Sequence, residues 1–231
     1  MKQENWMDVE QYRDSNYALS SAFPALMRKV FVWMTLALAI TGITAFGVAS
    51  SPALVAAIFG SKVLFWGLII AEFGLVMAIS GAITRISLST ATLLFVLYSV
   101  INGATLSVIF FAFSMAVIAK TFFITAGTFG LMALVGYTTK TDLTSMGKLL
   151  FMALLGLIIA TVVNLFVQSS GFDLIISYVG VLIFVGLTAY DTQKIKQMCL
   201  EAPNGGEVSQ KLALLGALTL YLDFINLFLY L

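Results

Sequence analysis

Leu212–Leu231 reads LALLGALTLYLDFINLFLYL, twenty residues with a single charged side chain, Asp223. A stretch this long and apolar is predicted to be a membrane-spanning helix, because about 20 residues at a rise of about 1.5 Å each cross the hydrocarbon core. Its polar residues are not scattered. Gly216, Thr219, Asp223, Asn226 and Tyr230 recur at spacings of three, four, three and four and line one face, while the rest is mostly Leu, Ile and Phe. Lipid offers no hydrogen-bond partner, so this stripe must turn toward protein or water. An Asp left exposed at mid-span would cost about 2.5 to 3.5 kcal/mol. The stretch therefore calls for neighbouring helices.

Six further apolar runs supply them: Val30–Ser50, Lys62–Thr84, Leu88–Phe113, Val117–Tyr137, Gly147–Gln168 and Phe172–Tyr190. Each exceeds the threshold of about 18 residues for a spanning helix, and none shows the period-2 alternation of outer-membrane barrel strands. The expected class is an all-α, polytopic membrane protein with seven transmembrane helices. Composition agrees, with 61% hydrophobic and 10% charged residues against roughly 25% charged in a soluble domain.

The domain plan is a polar N-terminal segment, 1–29, followed by the seven-helix domain, 30–231. The segment holds Lys2, Glu4, Asp8, Glu10, Arg13, Asp14, Arg28 and Lys29. It is too long and acidic for a signal-peptide n-region and is expected to be retained. Breakers mark short links at Ser51-Pro52, Arg85–Ser87, Ser114-Met115, Thr138–Ser145 and Ser169–Gly171, and the longest, Lys194–Lys211, contains Pro203-Asn204-Gly205-Gly206. Arg28, Lys29, Arg85, Lys140, Lys148, Lys194, Lys196 and Lys211 fall on one side, against Lys62 and Lys120 on the other. The positive-inside rule puts the N-terminus in the cytoplasm and, with seven spans, the C-terminus outside.

A net charge of +1 points to no nucleic-acid partner. The single cysteine, Cys199, forms no internal disulfide, and the absence of histidine removes the commonest catalytic base, metal ligand and pH sensor. Any pH response must use carboxylates. In the second run Gly67, Ala71, Gly74, Ala78 and Gly81 form a small-residue stripe suited to close helix packing. Glu72 lies about 140° from that stripe at roughly 100° per residue, inside the span, where a carboxylate must be paired, protonated or wetted. Arg85 returns to the stripe side, as an interfacial anchor or as the partner of a buried carboxylate.

The sixth run ends in Gly186-Leu187-Thr188-Ala189-Tyr190-Asp191-Thr192-Gln193, then Lys194 and Lys196. Asp191 either pairs with those lysines at the interface or meets Asp223 across neighbouring antiparallel helices. In the second case the two carboxyls share a proton and titrate as a pair, a pH sensor without histidine. Deprotonated, they offer a weak, transient Ca²⁺ point to which Asn226 could add a ligand. Asn102 and Asn164 are expected to make interhelical hydrogen bonds. A Tyr-Asp opposite a second Asp is similar to the intramembrane aspartyl proteases. Tyr221-Leu222-Asp223 nevertheless stands where those enzymes require Gly-x-Gly-Asp, so no enzymatic activity and no cofactor are expected.

Four segments carry a family resemblance: Tyr98-Ser99-Val100-Ile101-Asn102-Gly103, Gly136-Tyr137-Thr138-Thr139-Lys140-Thr141-Asp142-Leu143, Gly186–Gln193, and Gly216-Ala217-Leu218-Thr219-Leu220-Tyr221-Leu222-Asp223-Phe224-Ile225-Asn226. With these the chain resembles the Bax inhibitor-1 (transmembrane Bax inhibitor motif) family, in its bacterial branch, over nearly its whole length. The resemblance implies a C-terminal helix wrapped by two three-helix layers, residence in the bacterial inner membrane, and a pH-sensitive Ca²⁺ leak. It makes Asp191 and Asp223 the paired aspartates and Arg85 the candidate latch. Glu72, Thr219, Asn226 and Tyr190 are further pore or latch candidates. The expected function is thus a calcium (cation) leak gated by the aspartate pair, with the lipid bilayer and Ca²⁺ as partners. The alternative is a membrane regulator that binds a membrane protease or acts in a stress or cell-death pathway without transport.

Overall fold

The computed structural model describes residues 4–202 and 206–231, with side chains from Phe23 onward. The described residues contain helices and no strand: α1 (Glu4–Ala49), α2 (Pro52–Gly60), α3 (Lys62–Ala82), α4 (Leu88–Leu106), α5 (Ile109–Ala112), α6 (Met115–Thr138), α7 (Thr144–Val167), α8 (Ser170–Glu201) and α9 (Gly206–Tyr230). Among the described residues, seven segments are long and apolar enough to cross a membrane: Phe23–Ala49, Lys62–Ala82, Leu88–Ala112, Met115–Thr138, Thr144–Val167, Ser170–Glu201 and Gly206–Tyr230. Val63, Phe166, Ile43 and Phe123 stand exposed among many large apolar side chains. A soluble monomer rarely exposes so much, and a lipid-facing surface requires it. The chain is an integral multi-pass membrane protein.

Each expected run corresponds to one span, and the differences have local causes. Leu26 and Met27 are buried ahead of Val30 on the same helix, while Arg28 and Lys29 stand exposed between them. Ser51-Pro52 ends α1 by starting another helix: Ser51 Oγ accepts the Leu54 N–H at 3.5 Å and Pro52 takes the first helical position, where its missing N–H is no loss. Ser61 caps α3 and Ser114 caps α6 in the same way. The sixth span runs on to Glu201, which places Asp191 inside a helix rather than at its end. The last span is the most enclosed, with 61% of its window buried against 6% for α3. Residues 203–205 of the longest link lie outside the described residues.

The chain divides into two compact units, one formed by residues through Thr105 with Ile195–Leu218, the other by Leu106–Lys194 with Thr219–Leu231. In the first, Val48, Ile58 and Ala104 form a buried cluster against Phe59 and Leu68. Gly103 lets α4 press on α1, since a Cβ there would lie 2.6 Å from the Thr41 carbonyl oxygen, and Thr41 Oγ1 donates to the Ser99 carbonyl at 3.0 Å. The first turn of α9 ties down the start of α4, because Glu207 Oε1 accepts the Leu88 N–H at 2.8 Å and lies 3.0 Å from Lys211 Nζ. In the second unit, Phe224 of α9 packs between Phe122 and Phe129 of α6, at centroid separations of 5.6 and 5.5 Å. Gly136 of α6 lies against the backbone of Ala189, and Gly147 of α7 against the Tyr190 ring. These close approaches fix the turn of α8 that carries Asp191.

The small-residue stripe on α3 behaves differently from its expected packing role. Gly67, Gly74, Ala78 and Gly81 are exposed, and a Cβ at any of the three glycines would meet nothing within 4 Å. The reason is that α3 packs through other positions, Ile79 being its buried residue.

Candidate functional site

Asp223 sits on the polar face of α9 and is 5% exposed, while Asp191 on α8 is half-buried. Their carboxyl groups are hydrogen-bonded to each other. Asp223 Oδ2 is buried without a hydrogen-bond partner among the described residues. Two ionised carboxylates are acceptors only, so a hydrogen bond between them requires that one carry a proton. That buried oxygen is an acceptor able to take a proton or a cation.

The neighbouring polar groups are committed elsewhere. Thr188 Oγ1 donates to the Phe184 carbonyl and Thr192 Oγ1 to the Thr188 carbonyl, both at 2.7 Å, so these buried hydroxyls are satisfied within α8. One turn beyond Asp191, exposed Lys194 acts on it electrostatically, with its ammonium 6.0 Å from the Tyr190 ring centroid. Tyr190 is half-buried and lies over Gly147. On α9, half-buried Thr219 and Asn226 flank Asp223, and Asn226 Nδ2 donates to the Leu222 carbonyl at 2.8 Å. Tyr230 ends the stripe, its ring stacked on Phe184 at 5.8 Å. Among the described residues no group of three or more Asp, Glu, Cys or His side chains gathers to hold a metal. Two carboxyls fall well short of the six to eight oxygens of a resident Ca²⁺ site.

Glu72 and Arg85 belong to the other unit. Glu72 is half-buried and accepts hydrogen bonds from Thr105 Oγ1 at 2.6 Å and Asn102 Nδ2 at 3.3 Å, joining α3 to α4. Asn102 thus makes the expected interhelical bond. So does Asn164, which donates from α7 to the Asp173 carboxylate of α8. Arg85 is exposed just beyond α3 and is in no ion pair among the described residues. Two residues that the sequence reading did not single out bond beside candidate site residues. Thr105 lies three residues from Asn102 on the same face of α4, a spacing that signals a shared partner. Gln193 is buried on α8 and bonds to the backbone at Thr141 and Leu143.

Residues 24–231 match the family model described as inhibitor of apoptosis-promoting Bax1. The inner membrane protein YbhL of Escherichia coli strain K12 is 45% identical over 224 residues, 96% of each chain. A protein of Borreliella burgdorferi is 49% identical over 205 residues, 89% of this chain and 88% of its own. A membrane protein of Streptococcus pyogenes serotype M6 is 39% identical over 175 residues, 76% and 75% of the two chains.

Proposed function

Because the chain belongs to the Bax inhibitor-1 family, we propose that it is a pH-sensitive cation leak of the bacterial inner membrane, with Ca²⁺ as the permeant ion and the Asp191–Asp223 pair as its gate. The observation that carries this reading is the mutual hydrogen bond of two carboxyls, one of them buried with an unpartnered oxygen. With a proton between them, α8 and α9 are held together. When that proton leaves, the two charges repel unless a cation enters. Lys194 acts electrostatically on Asp191, and Asn226 lies one turn beyond Asp223 on the polar face of α9. Arg85, in no ion pair among the described residues, is the residue we assign to an alternative, latched state. The Lys/Arg asymmetry supports a cytoplasmic N-terminus. The reading is non-enzymatic: fully buried Tyr221 occupies the position at which an aspartyl protease needs glycine.

Ca²⁺ entry into liposomes containing only the purified protein, followed across a pH series, tests the proposal. A pH-dependent leak without partners is expected, and silence at every pH overturns it. Silence would favour the second reading, a regulator that engages another membrane protein. The exposed small-residue face of α3 supports that alternative, since a partner helix could approach it closely.

A further inference from the structure

Gln193 follows Asp191 by two residues and therefore projects from nearly the opposite side of α8, about 200° around the helix. It is 7% exposed. Both ends of its amide are committed to the backbone between α6 and α7: Nε2 donates to the Thr141 carbonyl at 2.8 Å, and Oε1 accepts the Leu143 N–H at 2.8 Å. A bidentate grip of this kind fixes rotation as well as distance, because both groups must stay in place for either bond to remain straight. Breaking it would strand a buried amide and two backbone groups.

The gripped segment is itself ordered. Thr139 Oγ1 accepts the Thr141 N–H at 3.2 Å, and Asp142 Oδ1 accepts the Thr144 N–H at 2.9 Å. Hydrogen bonds from the Thr144 hydroxyl and N–H hold the Asp142 carboxyl below the usual carboxylate range, so it remains ionised at mildly acidic pH. The charged side chains of the link, Lys140 and Asp142, are exposed, as is Lys148 on the next turn. The same turn of α8 is fixed twice more, by Gly136 against Ala189 and by Gly147 against Tyr190.

We propose that Gln193 is a positioning residue for the Asp191–Asp223 pair: the α6–α7 link, gripped by its amide, holds α8 in the rotation that presents Asp191 to Asp223. The proposal deepens the reading of the pair as a gate and rests on that reading for its flux readout alone. Any rotation of α8 that withdraws Asp191 from α9 also pulls Gln193 from Thr141 and Leu143. Release of the link, conversely, frees α8 to turn. The exposed link is then the handle by which the gate is reached from outside the bilayer.

Crosslinking tests the geometry without reference to transport. In membranes carrying Cys199→Ser, Asp191→Cys and Asp223→Cys, mild oxidation should form a disulfide between the two introduced thiols. Adding Gln193→Leu should slow its formation at least about fivefold. Gln193→Glu, which keeps the acceptor for Leu143 and loses the donor to Thr141, should fall between. Leu143→Pro removes the donor of the link without touching α8, and the φ of −88° at that position comes near the range of proline. It should act in the same direction. Rates are scored on protein that elutes as folded, so if Gln193→Leu fails to fold, Gln193→Glu and Leu143→Pro carry the test. Unchanged crosslinking in the folded variants overturns the proposal. With both aspartates intact, Leu143→Pro, which adds no ionisable group, should also shift the pH profile of Ca²⁺ flux, and an unshifted profile counts against the proposal. A parent protein without flux at any pH refutes the leak and leaves the crosslinking result standing.

Discussion

Gly130 and Gly136 lie on the same helix, and adding one methyl group to each should have opposite consequences. At Gly130 a Cβ would meet nothing within 4 Å, whereas at Gly136 it would lie 2.8 Å from the Ala189 carbonyl carbon and 2.9 Å from its Cα, where ordinary contact begins at 3.4 Å. The obstruction is backbone, so no rotamer relieves it. The Ala189 carbonyl oxygen lies closer still, so α6 or α8 must retreat by about an ångström, and overpacking of this kind costs about 1 to 3 kcal/mol. Gly130→Ala meets no such obstacle and removes a residue of poor helix propensity, a gain of up to about 1 kcal/mol in water. Thermal unfolding in detergent, read by loss of the monodisperse elution peak, should place Gly136→Ala clearly below the parent and Gly130→Ala at or above it. The displaced backbone belongs to the residue two before Asp191, so Gly136→Ala should also weaken the Asp191–Asp223 contact. Coincident unfolding midpoints for the two variants would show that α6 and α8 do not approach as closely as described.

Four further outcomes are expected. Asp191→Asn and Asp223→Asn should each flatten the pH dependence of Ca²⁺ flux into liposomes, because the shared proton needs both carboxyls; retention of the parental profile by both variants would end the dyad reading. Asp223→Ala should be tolerated better than Asp223→Lys by a few kcal/mol, since alanine removes a buried charge whereas lysine adds a second ion to a site already shaped for a carboxylate. Folded yield in detergent measures that difference, and equal yields would mean the site is open to water. Glu72→Gln should retain the tie from α3 to Thr105 and Asn102, whereas Glu72→Leu should lose about 1 to 3 kcal/mol by stranding their donors, a gap that comparative melting would reveal. Arg85→Ala should leave stability within about 0.5 kcal/mol, as for other exposed side chains, and change flux only at pH values where the pair is deprotonated; an unchanged flux profile removes Arg85 as the latch.

The spans were legible because their signal is intrinsic: a length of apolar sequence matched to the bilayer needs no knowledge of neighbours. Helix ends were less so. Tyr190 closes the apolar run, yet α8 continues to Glu201, since nothing in Asp191–Glu201 breaks a helix and the chain keeps its backbone hydrogen bonds by continuing. The nine residues of α2 are too few to span and fell below the threshold that found the others, although Ser51-Pro52 is a cap followed by the proline that favours a helix start. The small residues of α3 illustrate the converse. Their spacing makes close packing possible, but spacing cannot say whether a partner comes, and in this chain the face is exposed.

The same distinction separates the residues of the site. Asp223 announced itself because a carboxyl inside a span is costly whatever surrounds it, and the spacing of its stripe on α9 gave the direction in which relief had to lie. Asp191 was ambiguous between lysines on its own helix and the aspartate across from it, and the structure gives it both: the carboxyl of Asp223 by hydrogen bond, and the charge of Lys194 at longer range. Thr105 and Gln193 were not singled out because neither is costly alone. Each matters only through what a distant segment places beside it, a carboxylate 33 residues away for Thr105 and backbone groups 50 and 52 residues away for Gln193. A sequence therefore exposes the groups that must be satisfied more readily than those that do the satisfying. It is among the latter, on the side of α8 turned from the aspartate pair, that the control of a gate would be built.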